Sequence, residues 1–195
     1  MLTIVALASG GGSNLRALLE ACDNPLFPAR IRAVGSDRPA KALEHAEQFS
    51  VPTFVLEPEK FSNRDQWADL LLRSIEFHKP DLVVLAGFMR ILPRSVVDAL
   101  SPKIINIHPS LLPAFPGAHA VRDALAAGAH VTGATVHIVD NGVDTGPVIA
   151  QTEVPIPAGI SEAELHDLIR EVERKQLIEV VRGIAEGRVK LGEIK

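Results

Sequence analysis

Asn106 and His108 are the residues best placed for chemistry. They lie in Lys103-Ile104-Ile105-Asn106-Ile107-His108-Pro109-Ser110-Leu111-Leu112-Pro113. The apolar first half reads as a buried strand that Pro109 stops. Residues i and i+2 of a strand share a face, so an amide and an imidazole stand side by side where the chain leaves the sheet. An amide can steady a developing oxyanion and an imidazole can move a proton. The pairing suits acyl chemistry. A structural alternative stands beside it, because a histidine at a strand end often only satisfies a hydrogen bond and an asparagine often caps a turn.

Two further segments add to the pair. Ser9-Gly10-Gly11-Gly12-Ser13-Asn14-Leu15 follows the first strand and opens a helix. Its glycines let backbone approach a ligand, Ser13 or Asn14 can cap the helix, and the helix N-terminus favours an anion. A tight strand-to-helix turn would need the same residues. Gly10 and Gly12 fit the first two positions of a dinucleotide fingerprint, but Leu15 stands at the third, and no Lys-Ser or Lys-Thr makes a P-loop. A monophosphate fits better than a dinucleotide or triphosphate. The second segment is the acidic turn Asp140-Asn141-Gly142-Val143-Asp144-Thr145-Gly146-Pro147. It lacks the spacing of a calcium loop, with Gln151 at the twelfth position. If this turn closes over the strand edge, Asp144 can orient or charge-stabilise His108.

The elements that must position these groups follow from hydropathy. Residues 2–8, 30–35, 52–56, 81–86 and 103–107 read as strands, and 14–23, 40–48, 62–78 and 94–100 as helices. Such alternation predicts a parallel sheet covered on both faces. In open sheets of this class, ligands bind at the carboxyl edge. Residues 131–139 and 147–154 are strand-like with only a Gly/Asp turn between them, which predicts a hairpin and so a mixed sheet. A last helix spans about 161–186, with Ser161 and Glu164 as a capping box and Gly187 as its stop. There is no linker and no internal repeat, which points to one domain over 1–195.

Composition narrows the function classes. The 195 residues are 47% hydrophobic, enough for a sizeable core, and carry a net charge of −4, which argues against general nucleic-acid or anionic-membrane binding. An anionic ligand then needs a local site. Cys22 is the only cysteine; an intramolecular disulfide is impossible and a reducing compartment is expected. The start lacks a basic n-region, and no apolar run approaches the roughly 20 residues of a bilayer span. The seven histidines are scattered, no metal signature emerges, and no Gly-x-Ser-x-Gly elbow suggests a serine hydrolase.

Over nearly its whole length the chain resembles the folate-dependent glycinamide ribonucleotide formyltransferases of purine biosynthesis. The resemblance rests on Ser9 to Asn14, Leu85-Ala86-Gly87-Phe88-Met89-Arg90-Ile91-Leu92, Asn106 to Pro113, and Asp140 to Pro147. The Asn-x-His-Pro-Ser-Leu-Leu-Pro block marks the wider formyltetrahydrofolate transferase and hydrolase superfamily. The glycine loop narrows it to the glycinamide ribonucleotide or deformylase branch. The resemblance implies a Rossmann-like open twisted α/β sheet, with 1–100 as the phosphate-binding half and 101–195 as the catalytic and folate-binding half. It implies that Gly11, Gly12, Ser13 and Asn14 hold the ribonucleotide phosphate and that Glu173 reaches the glycinamide. The same resemblance implies that Asn106, His108 and Asp144 are the catalytic trio. It also implies that Arg64, Met89, Arg90, Ile91, Leu92, Asn106 and Asp140 meet the folate. The last helix departs from the family pattern: Glu173-Arg174-Lys175-Gln176-Leu177 lacks its Glu-His and Tyr-Pro features.

The residues agree with these roles. Leu85, Met89, Ile91 and Leu92 suit a flat pterin ring, although ordinary core would use them too. Arg64 and Arg90 can supply local cations, with a solvated helix face as the alternative for Arg64. The implied reaction is formyl transfer from 10-formyltetrahydrofolate to the amine of N1-(5-phospho-D-ribosyl)glycinamide, in the cytoplasm, without metal, by a monomer or weak homodimer with small-molecule partners only. A deformylase would carry an extra N-terminal regulatory domain, and this chain starts at its first strand. A tRNA formyltransferase would need a further C-terminal domain and basic surface. A non-catalytic nucleotide-binding module would make Asn106, His108 and Asp144 incidental together.

Overall fold

The computed structural model describes residues 1–194. Its centre is a seven-stranded sheet made of β1 (Leu2–Leu7), β2 (Ala29–Ser36), β3 (Thr53–Val55), β4 (Leu82–Leu85), β5 (Ile104–His108), β6 (Val131–Ile138) and β7 (Val148–Pro155). The spatial order is β3-β2-β1-β4-β5-β6-β7. Strands β1 to β5 are mutually parallel, whereas β6 runs antiparallel to β5, and β7 to β6. The mixed sheet and the hairpin expected from the sequence are both present.

Alternation along the inner strands sorts their side chains into two cores. Ile4, Ala6 and Ala8 face one side of the sheet with Val84, Ile105, Ile107 and Val136. That side is covered by α1 (Ser13–Asp23), α2 (Lys41–Gln48) and α6 (Glu162–Ala185) through Leu15, Leu18, Ala42, Ala46 and Leu177. Val5, Leu7, Val83, Leu85 and Ile104 face the other side. There α3 (Arg64–Phe77) brings Trp67, Leu71 and Ile75, and α4 (Arg94–Leu100) brings Val96, Val97 and Leu100. A central strand is apolar at successive positions because both of its faces are buried.

Local signals terminate these elements where the sequence places them. Asn63 caps α3 by accepting from the Gln66 N–H. The capping box of Ser161 and Glu164 is complete at the start of α6, and Gly187 follows its end with φ +74°. One expectation fails. Neither Ser13 nor Asn14 caps α1; Gly12 precedes the helix in the left-handed conformation with φ 72°, and no side chain caps the turn. Gly12 occupies the cap position and has no side chain to accept from the helix, so the first N–H groups are left open. An unanticipated short helix, α5 (Ala120–Ala126), follows the proline-rich loop. Its fully buried residues are Ala120, Val121 and Ala124, too few to show a helical period.

The chain progresses outward from β1 to β3 and then returns to β4 on the other side of β1. That reversal lies between β1 and β4, and its carboxyl edge is where open sheets of this class bind ligands. The glycine loop leaves β1, residues 86–92 leave β4, and Asn106 and His108 end β5.

Candidate active site

On β5, Asn106 and His108 share the face of Ile104, the side of α3 and α4. β6 pairs with β5 so that Asn106 lies opposite His137 and His108 opposite Thr135. Directly opposed residues of antiparallel strands project to the same face. His137 thereby joins the pair, with Nε2 3.1 Å from the Asn106 amide nitrogen. Its Nδ1 lies 3.0 Å from the Ile138 carbonyl; a carbonyl only accepts, so Nδ1 carries a proton.

Asp144, in the turn between β6 and β7, reaches both imidazoles. One carboxylate oxygen lies 3.4 Å from His108 Nδ1 and the other 3.6 Å from His137 Nε2. The Gly117 N–H donates to the first at 2.8 Å. The neighbouring His137 imidazole is the main influence holding the Asp144 carboxyl down at about 2; the Gly117 N–H and the adjoining His108 add to it, and burial opposes it. Asp144 is therefore a fixed negative charge at any physiological pH.

His108 is 5% exposed, and both of its nitrogens are occupied. Nε2 donates to the Phe115 carbonyl at 2.9 Å. Ser110 Oγ reaches the same carbonyl at 3.2 Å, which folds the 109–117 loop onto the histidine. Phe115 adopts φ 53°, a left-handed conformation that is costly for a bulky residue.

The residues expected around the ribonucleotide converge as well. Asn14 Nδ2 donates to Glu173 Oε2 at 3.2 Å, across 159 positions of sequence, because α1 packs on α6. Glu173 is only 6% exposed. Burial pushes its carboxyl up to about 7 against the opposing pull of Asn14, Arg170 and Arg174. Gly11 and Ser13 are exposed at the loop beside it.

The expected folate residues divide. Met89 and Ile91 expose 66% and 62% of their surface on the segment that leaves β4, and so are open to a ligand. Leu92 and Leu85 are core. Arg64 Nη2 donates to the Ile91 carbonyl at 2.7 Å and lies 6.0 Å from the Trp67 ring. Arg64, Arg90 and Ile91 line a pocket of about 230 Å³ with Pro58, Phe61, Asn63 and Trp67. Arg90 is not a free cation: it donates to Asp37 at 2.9 Å and to Glu59 at 2.5 Å. Asp140 turns inward on its own loop, accepting from the Gly142 N–H and Thr145 Oγ1.

Sequence reasoning missed His137, Asp37 and Ser9. His137 had a visible signal, as a lone imidazole in a strand of β-branched residues, in phase with Thr135. Asp37 carried none. It directly follows β2 with its side chain fully enclosed, and its role depends on Arg90 arriving from elsewhere beside its neighbour Arg38. Ser9 Oγ accepts from the Met89 N–H at 2.8 Å and ties the glycine loop to the 86–92 segment.

With this geometry established, similarity to known proteins becomes decisive. The profile of the formyl transferase family matches residues 2–181. The chain belongs to that family. Among its relatives, phosphoribosylglycinamide formyltransferase of Mycobacterium tuberculosis is 48% identical over 93% of this chain and 84% of its own length. The enzyme of that name from Escherichia coli is 40% identical over 98% of this chain and 91% of its own. The crystal structure of glycinamide ribonucleotide transformylase 1 from Symbiobacterium toebii superposes with a TM-score of 0.94 at 40% identity, over 97% of this chain and 90% of that one. The formyl transferase fold therefore accounts for the whole sheet. No helix among the described residues is long and apolar enough to cross a membrane, and no cluster of three or more metal-ligating side chains occurs among them.

Proposed function

We propose that this formyl transferase carries the formyl group of 10-formyltetrahydrofolate to the amine of N1-(5-phospho-D-ribosyl)glycinamide, a cytoplasmic step of purine biosynthesis. The observation that carries the reading is the Asn106, His108, His137 and Asp144 cluster at the carboxyl edge of β5. It supplies neutral and charge-tuned donors without a protein nucleophile, as direct transfer between two small molecules requires.

In this reading the Gly11–Asn14 turn holds the phosphate and the Glu173 carboxyl meets the glycinamide end. Met89 and Ile91 pack on the pterin, with the Arg64 pocket beside it. The amine attacks the formyl carbon, and a tetrahedral intermediate develops negative charge on oxygen. The Asn106 amide and His108 Nε2–H are the donors for that oxygen. The Phe115 carbonyl now accepts from Nε2, so a productive complex exchanges one oxygen acceptor for another. His108, held by Asp144, then assists proton movement from the amine to the departing folate nitrogen. His137 is a positioning residue: it fixes the Asn106 amide and anchors Asp144.

The test is turnover of glycinamide ribonucleotide with 10-formyltetrahydrofolate, followed by folate release, with a control lacking ribonucleotide. Asn106→Ala and His108→Ala should each lose on the order of 100- to 1,000-fold in kcat while remaining folded. Near-normal rates in both would sink the assignment, and release independent of ribonucleotide would instead favour hydrolysis.

A further inference from the structure

We propose that His45 is a positioning residue for the anion cradle at the glycine loop, fixing the loop peptides so that their N–H groups face the ligand. The inference rests on reading that loop as the site of the ribonucleotide phosphate.

The first turns of α2 clamp the loop at two successive carbonyls. The Ala42 N–H donates to the Gly10 carbonyl at 3.1 Å. One turn on, His45 Nε2 lies 3.1 Å from the Gly11 carbonyl; since a carbonyl only accepts, Nε2 carries the proton and donates. A trans peptide is planar, with its C=O and the following N–H on opposite sides. Anchoring the Gly10 and Gly11 carbonyls toward α2 therefore turns the N–H groups of Gly11 and Gly12 away from it. Successive N–H groups turned one way form an anion-binding concavity, here continuous with the open first turn of α1. No backbone acceptor among the described residues meets either N–H.

The clamp is tight. A Cβ at Gly12 would stand 2.8 Å from Ala42 Cα and 3.3 Å from the His45 ring. His45 itself is 7% exposed, so its ring is a wedge held between helix and loop rather than a surface group. Without its donor the Gly11–Gly12 peptide is free to rotate. Affinity then falls in proportion to the fraction of chains that keep the competent orientation. The chemistry at β5 does not involve this peptide, so the effect should appear in ribonucleotide binding and not in the rate of the bound complex.

The full chain is assayed with the ribonucleotide, with its phosphate-free riboside, and with inorganic phosphate as competitor. His45→Leu keeps bulk and loses the donor; His45→Gln restores a donor at similar reach. Loss of one hydrogen bond predicts a rise of roughly three- to tenfold in ribonucleotide KM and in the phosphate inhibition constant for His45→Leu. Its kcat should stay within about twofold and its folate KM should not move, and His45→Gln should recover most of the loss. If His45→Leu does not fold, His45→Phe carries the same comparison with a ring of like shape. Unchanged KM in the donor-less variant, equal losses for ribonucleotide and riboside, or no recovery with glutamine would overturn the role of His45. A wild-type enzyme that uses the riboside as well as the ribonucleotide, and ignores phosphate, would overturn the cradle itself.

Discussion

Replacing Glu173 with glutamine should stabilise the chain at alkaline pH and leave its stability unchanged at acid pH. Glu173 lies between α6 and α1 with 6% of its surface exposed, and among the described residues Asn14 Nδ2 is its one side-chain donor. Burial is the dominant force on it and lifts its carboxyl from 4.5 to about 7. The unfolded chain keeps the ordinary value. Between those two pH values the native state holds a proton that the unfolded state has released, so stability falls as pH rises. The loss is complete above pH 7 and amounts to about 3 kcal/mol. Glutamine carries no such penalty and still offers Asn14 an acceptor. Urea unfolding of both proteins at intervals from pH 4.5 to 8.5 should show a difference that grows from near zero to about 3 kcal/mol. In a thermal melt this corresponds to roughly 6–12 °C at pH 8. Comparing variant with parent cancels the titration of groups they share. A difference that stays flat with pH would refute the assigned cause. If the carboxylate is retained because a ligand ammonium compensates it, the ribonucleotide should protect the parent more than Glu173→Gln at pH 8.

Asp144→Asn should lower kcat by on the order of 100-fold at every pH from 5 to 9. Because the Asp144 carboxyl sits at about 2, held there first by His137, its ionic contribution is present above 3.8 and is lost only as pH falls through 2. An acid limb between pH 5 and 7 that vanishes in the variant would contradict this. Arg90→Met should cost ~1–3 kcal/mol of stability by urea unfolding, since it leaves the enclosed Asp37 carboxylate with Arg38 as its remaining cation; an unchanged midpoint would show the pair to be incidental. Burial pushes the Cys22 thiol up to about 12, so a thiol reagent at pH 8 should label the native chain about 100- to 1,000-fold more slowly than the unfolded one.

The sequence by itself determined the strands and the longer helices, though not α5, because the information is local. The period-two run of β5 and the apolar run of β4 name their faces, and Ser161, Glu164 and Gly187 bound α6. The Asn106 and His108 spacing sets two side chains on one face of one strand whatever lies around them. The glycines after β1 require a close backbone approach regardless of what approaches. What only the tertiary structure decided is which groups meet across the sheet. The β5–β6 register sets His137 opposite Asn106, and a shift of one residue would have turned it into the other core. The packing of α1 on α6 brings Asn14 to Glu173 and, by excluding water, changes the acidity of that carboxyl. Arg90 reads as a free cation in an apolar run, yet the chain's return path past β2 gives it Asp37. Composition and spacing assign chemical capacity to a residue; burial and the neighbour that burial brings assign its charge state and its partner.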